Sequence, residues 1–278
     1  MDDGCKSDQF FIHAIIRECS EMDTRYWGPS GWDLLHLIAA SKQDQYVFWE
    51  TLPYILPCKF CRASLTEYYE KLPIPKEGSR ERWLWNIHNC VNEKLRNQGK
   101  TVAPDPPFEK VRNMYQERLK QGCTKTQFPG WKFLFSIADN HPRTTPSKPM
   151  PDVKEDDLQN IHSMSLEEKN IKNLLSCKER IEAITRFWKE LPESLPFQEW
   201  RTSFRKHMKS LKRVMKTRKD TLAWLWAIRC GVDGDLEDLG THSFHGLCKE
   251  VAQHRSGCST SKRARTCRKR HSITKKKR

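Results

Sequence analysis

The chain has 278 residues, of which 37% are hydrophobic and 10% aromatic, and its formal net charge is +15. This length and composition predict a folded protein of one large or two ordinary domains and exclude a mainly disordered chain. It contains no apolar run of about 18 residues, and its acidic start, MDDGCKSDQF, lacks an apolar signal core, so we expect no membrane span and no cleaved signal peptide.

Apolar residues recur at helical spacing through most of the chain, and no convincing alternating run predicts a strand. In the first half the pattern predicts five helices: one capped by Ser30, one over Gln45–Leu56, one over Cys58–Lys71, one opening at Ser79 and one over Phe108–Gln121. Five short helices within about 100 residues predict an all-α fold, a four-helix bundle with one additional short helix.

The second half of the chain repeats the pattern of the first. Six of ten positions agree between residues 48–57 and 187–196, including a Phe-Trp pair and both prolines. The flanking blocks follow the same order: Gly31-Trp32 with Gly130-Trp131, and Trp83-Leu84-Trp85 with Trp224-Leu225-Trp226. Because order and spacing both agree, we predict that a second helical domain arose by duplication of the first.

The two halves differ at a Cys-x-x-Cys motif. Cys58 aligns with Phe197 and Cys61 with Trp200, so the second copy keeps packing residues and loses reactive ones. We therefore predict four segments: an N-terminal segment 1–19, a catalytic domain 20–123, a degenerate domain 124–250 with an inserted loop near 140–165, and a C-terminal tail 251–278. The degenerate domain is expected to serve dimerisation or substrate docking.

The net positive charge is concentrated in the tail, where residues 261–278 contain ten Lys or Arg and no acidic residue. Such a run repels itself and lacks apolar content, so the tail is predicted to be disordered. Its composition is typical of a nuclear-import signal bound by an import receptor, of an arm that binds polyanions, or of a tail that only aids solubility.

Cys58 and Cys61 directly follow Pro57 at a predicted helix start. Free amide groups and the positive end of the helix dipole stabilise a thiolate at such a place. One helical turn brings the two sulfurs within bonding distance, so the pair can alternate between dithiol and disulfide. The motif alone also fits half of a zinc site or two structural thiols.

Three sequence blocks surround and include this motif: YWGPSGWDLLH at 26–36, LPCKFC at 56–61 and WLWNIHNCVNEKL at 83–95. Together they resemble the Erv/ALR family of FAD-linked sulfhydryl oxidases, in which W-G-x-x-x-W-x-x-L-H, C-x-x-C and H-N-x-V-N-x-K-L occur in this order. Forms encoded by large DNA viruses are especially similar, because they share the Gly-Pro variant of the first block and an additional helical domain.

The resemblance implies FAD as the cofactor. The residues that it assigns to the FAD site are Trp27 and Gly28 at the opening, Trp32 and His36 against the flavin and adenine, His88, Asn89, Asn92 and Lys94 on the nucleotide, and Tyr115 beside the adenine. Cys61 would lie against the isoalloxazine, while Cys58 would face outward and exchange with a substrate dithiol.

The implied reaction converts dithiols of protein substrates into disulfides and passes the electrons through FAD to O₂, which gives hydrogen peroxide. The resemblance further leads us to expect a homodimer that acts in the cytoplasm or nucleus of a host cell or is packaged in a virion. The alternative left by the sequence is a basic, non-enzymatic protein that binds zinc through its cysteines and nucleic acid or a scaffold through its tail.

Overall fold

The computed structural model describes residues 20–41, 43, 45–76, 80–123, 128–142, 161, 163–210, 217–236 and 243–257. Within them the chain forms eleven helices and two short strands. In chain order these are β1 Ser20–Met22, α1 Thr24–Ser41, α2 Tyr46–Ile55, α3 Lys59–Lys71, α4 Arg80–Asn97, α5 Phe108–Gln121, α6 Trp131–Asp139, α7 Leu166–Ile171, α8 Cys177–Ser194, α9 Gln198–Ser210, α10 Arg218–Asp235, α11 Phe244–Gln253 and β2 Arg255–Gly257. The all-α prediction is confirmed.

The start of the first helix differs from the prediction. Ser30 does not cap it, because α1 begins at Thr24 and continues through Pro29. Pro29 has no N–H to give to the helix, but the remaining hydrogen bonds and the packing of α1 sustain it. Ser30 instead contacts the start of α6: its hydroxyl donates to the carbonyl of Pro129 at 2.6 Å and accepts from the N–H of Phe133 at 3.3 Å.

Equivalent helices of the two halves pack against one another. Helix α1 contacts its counterpart α6, and α2 contacts its counterpart α8. At the second contact the rings of Phe48 and Phe187, which occupy equivalent repeat positions, lie 5.5 Å apart and are fully buried. Two copies of one surface that bury each other in this way resemble a symmetric dimer formed within one chain. The two halves share one core, and the boundary near residue 123 stays a prediction.

Strands β1 and β2 bring the two ends of the described chain together. They pair antiparallel, with Met22 opposite Arg255. The N–H of Met22 also donates to the carbonyl of Pro57 at 3.0 Å, so β1 lies beside the residue that precedes Cys58. Arg255 in turn donates to the fully buried Asp139 at the end of α6. These contacts fix both strands to the helical core.

Helix α7 follows the region of the predicted inserted loop. Ser165 and Glu168 form a capping box at its start, and the side-chain amide of Asn170 donates to the carbonyl of Pro53 at 2.9 Å and to the hydroxyl of Thr66 at 2.7 Å. These bonds dock α7 onto α2 and α3. Residues 1–19, most of the inserted loop and residues 258–278 of the predicted tail lie outside the described residues. None of the described helices is long and apolar enough to cross a membrane.

Candidate functional site

A cavity of about 440 Å³ opens among helices α1 to α4. Its volume falls within the range of roughly 300 to 1,000 Å³ that is usual for small-molecule sites. The predicted residues that line it are Trp27, Gly28, Trp32, Cys61, His88, Asn92 and Lys94. The structure therefore brings together, around one space, residues that lie as far as 67 positions apart in the sequence.

The Cys-x-x-Cys motif lies at the wall of this cavity. Cys58 is the N-cap of α3, and its sulfur accepts a hydrogen bond from the N–H of Cys61 at 3.3 Å. Amide groups at a helix start favour negative charge on such a sulfur. Cys61, one turn further on, belongs to the cavity lining. The prediction that Cys61 faces the cofactor space therefore agrees with its position.

The prediction that Cys58 faces outward is wrong for this structure, because only 3% of Cys58 is exposed. The physical reason is the turn on which it lies. The carbonyl of Pro57 accepts the N–H of Met22 from β1, and Arg62 donates to the carbonyl of Leu56 at 2.9 Å. Both contacts hold the start of α3 inside the fold, and the pairing of β1 with this turn has no signal in the local sequence.

An aromatic stack leads from the cavity wall into the core. The rings of Trp32 and His88 are nearly parallel with centroids 3.9 Å apart. Behind them, Nε2 of His36 lies 3.1 Å from Nδ1 of His88, and the ring of Tyr115 stacks on His36 at 5.1 Å. His36 and Tyr115 are thus placed behind the cavity wall, where they support His88, whereas the resemblance assigned them direct contact with the cofactor.

Burial sets the charge of this histidine pair. Burial lowers the pKa of His36 to about 3, and the charge of a protonated His88 lowers it further. Burial also lowers the pKa of His88 to about 4, although the negative charge of Asp105 opposes this shift. Both rings are consequently neutral at neutral pH. One ring then donates its N–H to the other across the 3.1 Å contact, which fixes the orientation of His88 against Trp32.

One end of the cavity is polar. The ammonium group of Lys94 donates to the hydroxyl of Ser64, which joins α4 to α3, and both residues line the cavity. The side-chain amide of Asn92 donates to Asp105 at 2.7 Å, so its orientation is fixed from outside the cavity. A cation beside neutral hydrogen-bonding groups suits an anionic ligand such as a phosphate.

Asn89 lies apart from these residues. It lines a separate, open surface pocket on the other face of α4, together with Arg96 and Asp105. Successive residues of a helix are rotated by about 100° around its axis, so Asn89 points away from its neighbour His88 and toward the second pocket. The expected contact of Asn89 with the nucleotide is not supported by this placement.

Sequence reasoning missed several residues of the lining, including Tyr68, Tyr69, Gln98 and Phe133. Helical spacing from Val91 and Lys94 could have found Gln98, since 91, 94 and 98 share one face. Nothing in the sequence pointed to Phe133, which comes from α6 in the second half. Its ring lies 5.8 Å from the ring of Trp27, at an interplanar angle of 30°.

The chemistry of the lining indicates what the cavity can hold. Its walls are largely aromatic and aliphatic, and one end carries Lys94. Nε1 of Trp27 and Oε1 of Gln98 are buried and have no hydrogen-bond partner among the described residues, and Nε1 of Trp131, Trp188 and Trp200 in the second half shares this property. Buried polar atoms normally have partners. The aromatic and aliphatic walls suit a flat aromatic ligand, and Lys94 suits an anionic group on that ligand.

Comparison with protein families agrees with this geometry. Residues 29–115 match the model of the Erv1/Alr family. This segment, about a third of the chain, resembles that family and is called the Erv1/Alr domain. All predicted site residues except Trp27 and Gly28 lie within the matched segment, and those two directly precede it.

Relatives of this Erv1/Alr domain carry matching names. The mitochondrial FAD-linked sulfhydryl oxidase ERV1 of Saccharomyces cerevisiae is 31% identical over 118 residues, which are 38% of this chain and 57% of that protein. The probable FAD-linked sulfhydryl oxidase R368 of Acanthamoeba polyphaga mimivirus is 33% identical over 85 residues, 26% of this chain and 59% of that protein. The chain thus spans less than two thirds of either relative. No solved structure matches it.

The putative FAD-linked sulfhydryl oxidase 347L of Invertebrate iridescent virus 6 is matched over most of its length. It is 26% identical over 104 residues, which are 31% of this chain and 91% of that protein. A viral relative can therefore consist of little more than the Erv1/Alr domain, whereas this chain carries a second helical half as well.

The second half fills the space that is open in the Erv1/Alr domain. Trp200, at the repeat position of Cys61, is 1% exposed, and its ring lies 4.9 Å from that of Phe128. Phe204 stacks on Trp131, the counterpart of Trp32, at 5.6 Å. Asp235 stands at the position of Lys94 and accepts from Ser203, the counterpart of Ser64. Aromatic packing and a reversed charge thus replace the cavity and its cation.

Proposed function

We propose that this chain is an FAD-dependent thiol oxidase that forms disulfide bonds in protein substrates. The observation that carries the proposal is the position of Cys61. Cys61 lines an aromatic cavity that also contains Lys94. The N–H of Cys61 donates a hydrogen bond to the sulfur of Cys58, so the two cysteines are adjacent. A dithiol pair in contact with a flavin site is the arrangement that thiol oxidation requires.

Different residues of the cavity would contact different parts of FAD. Trp32 and His88 would form a stacked wall for the isoalloxazine, and Trp27 and Gln98 would line the same site. Lys94 would neutralise phosphate. When bound, FAD would accept two electrons from the dithiol and return them to O₂ as hydrogen peroxide. Asn89 is not part of this proposal, because it lies on the other face of α4.

Behind this wall, His36 and Tyr115 are proposed as positioning residues. Neutral His36 bonds to His88, and Tyr115 stacks on His36. A buried neutral imidazole in this place fixes the tautomer and tilt of His88 without adding charge beside the flavin. The reaction itself involves neither of their side chains.

Disulfide exchange would begin at Cys58. A substrate thiolate attacks the sulfur of Cys58 in the Cys58–Cys61 disulfide, so that the S–S bond breaks and Cys61 leaves as a thiolate next to the cavity. The second substrate thiol then displaces Cys58, which completes the substrate disulfide and leaves the pair reduced by two electrons. Because Cys58 is 3% exposed, its surroundings must open for a protein substrate to reach it.

The decisive experiment combines a spectrum with an activity. The purified chain should show the visible absorption of a flavin, release FAD on denaturation, and consume O₂ when a dithiol is added. Cys58→Ser and Cys61→Ser should each abolish O₂ consumption and retain FAD. Cys90→Ser is the matched control, since Cys90 lies on the other face of α4 and outside the cavity. A colourless protein, or full activity in either motif variant, contradicts the proposal.

Oligomeric state and location belong to the same proposal. The surfaces of α1 and α2 that meet their counterparts are covered within the chain, so the predicted homodimer would have to use another surface. Size-exclusion chromatography with light scattering measures this directly. The host-cell or virion location and the binding of polyanions or an import receptor by the basic tail also stay predictions. No observation in the described part of the chain favours the zinc- and nucleic-acid-binding alternative.

A further inference from the structure

One wall of the cavity comes from outside the Erv1/Alr domain. Phe133 lies on α6, eighteen positions beyond the end of the matched segment at residue 115, and is fully buried. It lines the cavity and packs on Trp27, with the two rings 5.8 Å apart. The second half of the chain thus contributes a side chain to a site whose other predicted residues all belong to the first half.

The position of this ring is fixed by the backbone of both helices. The hydroxyl of Ser30 on α1 accepts the N–H of Phe133 and donates to the carbonyl of Pro129, which attaches the start of α6 to α1. Gly31 makes room for the ring, because a Cβ at Gly31 would lie 3.2 Å from Cδ2 of Phe133. Such a Cβ would be closer than an ordinary van der Waals contact.

The repeat provides an internal comparison for this contact. Leu34 occupies the repeat position of Phe133, and it approaches Gly130, the counterpart of Gly31, so closely that a Cβ there would lie 2.6 Å from its Cδ2. Each half therefore packs a side chain against a glycine of the other half: Phe133 against Gly31, and Leu34 against Gly130. The phenyl ring stands on the side that faces the open cavity, and the smaller Leu34 faces the half that is filled by aromatic residues.

The contact also bears on Trp27. Its indole N–H is buried and has no hydrogen-bond partner among the described residues, while one face of its ring is covered by Phe133. An apolar partner restricts the ring without using the N–H. The contact with Phe133 therefore holds the indole ring of Trp27 at the cavity wall.

We propose that Phe133 of the second half is a positioning residue of the FAD site in the first half, acting by holding Trp27 at the cavity wall. The proposal rests on the proposed function. It gives the degenerate half a direct role in cofactor binding, in addition to the dimerisation or docking role expected from sequence.

The test compares two phenylalanines of one helix. Phe135 is also fully buried on α6 but packs against Trp131 and Trp226 of its own half, so Phe135→Leu is the matched control for Phe133→Leu. Leucine keeps most of the volume and lets both variants fold. The measurements are FAD affinity by titration of the apoprotein, the visible absorption and circular dichroism of the bound flavin, and the melting temperature.

We expect Phe133→Leu to weaken FAD binding about 10-fold, which corresponds to about 1.4 kcal/mol, and to change the visible circular dichroism of the flavin. Phe135→Leu should lower the melting temperature by a similar amount and leave FAD affinity within about two-fold of the original. Equal FAD affinity in the two variants overturns the inference. An original chain that binds no FAD overturns the proposed function first, so the two failures are distinguishable.

Discussion

The buried histidine pair predicts a specific loss of stability in mild acid. Above about pH 6.5, the usual pKa of a histidine, His36 is neutral in both the folded and the unfolded chain and contributes no pH dependence. Below that pH the unfolded chain binds a proton at His36, but the folded chain does not, because burial lowers the pKa of His36 to about 3. The free energy of unfolding must therefore fall as the pH falls from 6.5 toward 3.

The size of the effect follows from the pKa values. Each pH unit between the unfolded and folded pKa removes about 1.4 kcal/mol, so His36 alone accounts for a loss of about 3 kcal/mol by pH 4. The pKa of His88 is lowered to about 4 in the folded chain, so His88 also reduces the free energy of unfolding as the pH falls over the same range. A loss of about 3 kcal/mol is a large share of a typical folding free energy of roughly 5 to 15 kcal/mol.

His36→Gln isolates the contribution of His36. Glutamine can keep the hydrogen bond to His88 but does not titrate, so the variant should lose about 3 kcal/mol less than the original chain between about pH 7.5 and pH 4. Urea unfolding followed by tryptophan fluorescence at several pH values measures the difference, and His245→Gln, at an exposed position, is the control. Parallel pH profiles for His36→Gln and the original chain would refute the buried-neutral description.

Three further perturbations test the site and the pairing of the halves. Lys94→Met should weaken FAD binding about 10-fold while Lys94→Arg stays within about three-fold; equal weakening by both would mean that charge is not what Lys94 supplies. Trp200→Cys should leave the flavin content at one FAD per chain by absorbance, because Asp235 still opposes a phosphate at the position of Lys94; a second flavin would contradict this. A chain truncated after residue 123 should be insoluble or colourless on expression, since it exposes Phe48 and lacks Phe133; a soluble, yellow product would disprove the shared core.

Local patterns predicted the helices well because each helix here follows its own apolar spacing. Helix α2 deviates from its prediction by one residue at each end, and α3 begins at Lys59, one residue later than predicted. The error at Ser30 arose where a Gly-Pro-Ser sequence imitates a helix start, although the hydroxyl of Ser30 serves a different helix about 100 positions away. The pairing of β1 with β2 joins residues more than 230 positions apart, and no local pattern encodes such a contact.

The candidate site shows the same division between local and long-range information. Cys61, Trp32, His88 and Lys94 line one cavity, and the contacts with FAD that the resemblance implies for them stay a prediction. Motif spacing specifies which residues share a helix face, but it does not specify how deeply each side chain is buried in the fold. The burial of Cys58 depends on contacts from distant segments and was therefore missed. Phe133 was missed for the same reason, because it reaches the cavity only through the packing of α6 on α1.

The pairing of equivalent helices accounts for the packing residues that the two halves share. Helix α8 buries Phe187 against Phe48, and α6 places Phe133 in the cavity wall, so loss of either helix would expose core or open the site. The position of Cys61 carries no such constraint in the second copy. An apolar cavity that holds no ligand destabilises a fold in proportion to its volume. At the repeat positions of Cys61 and Leu65, the second half has Trp200 and Phe204, which make buried aromatic contacts instead.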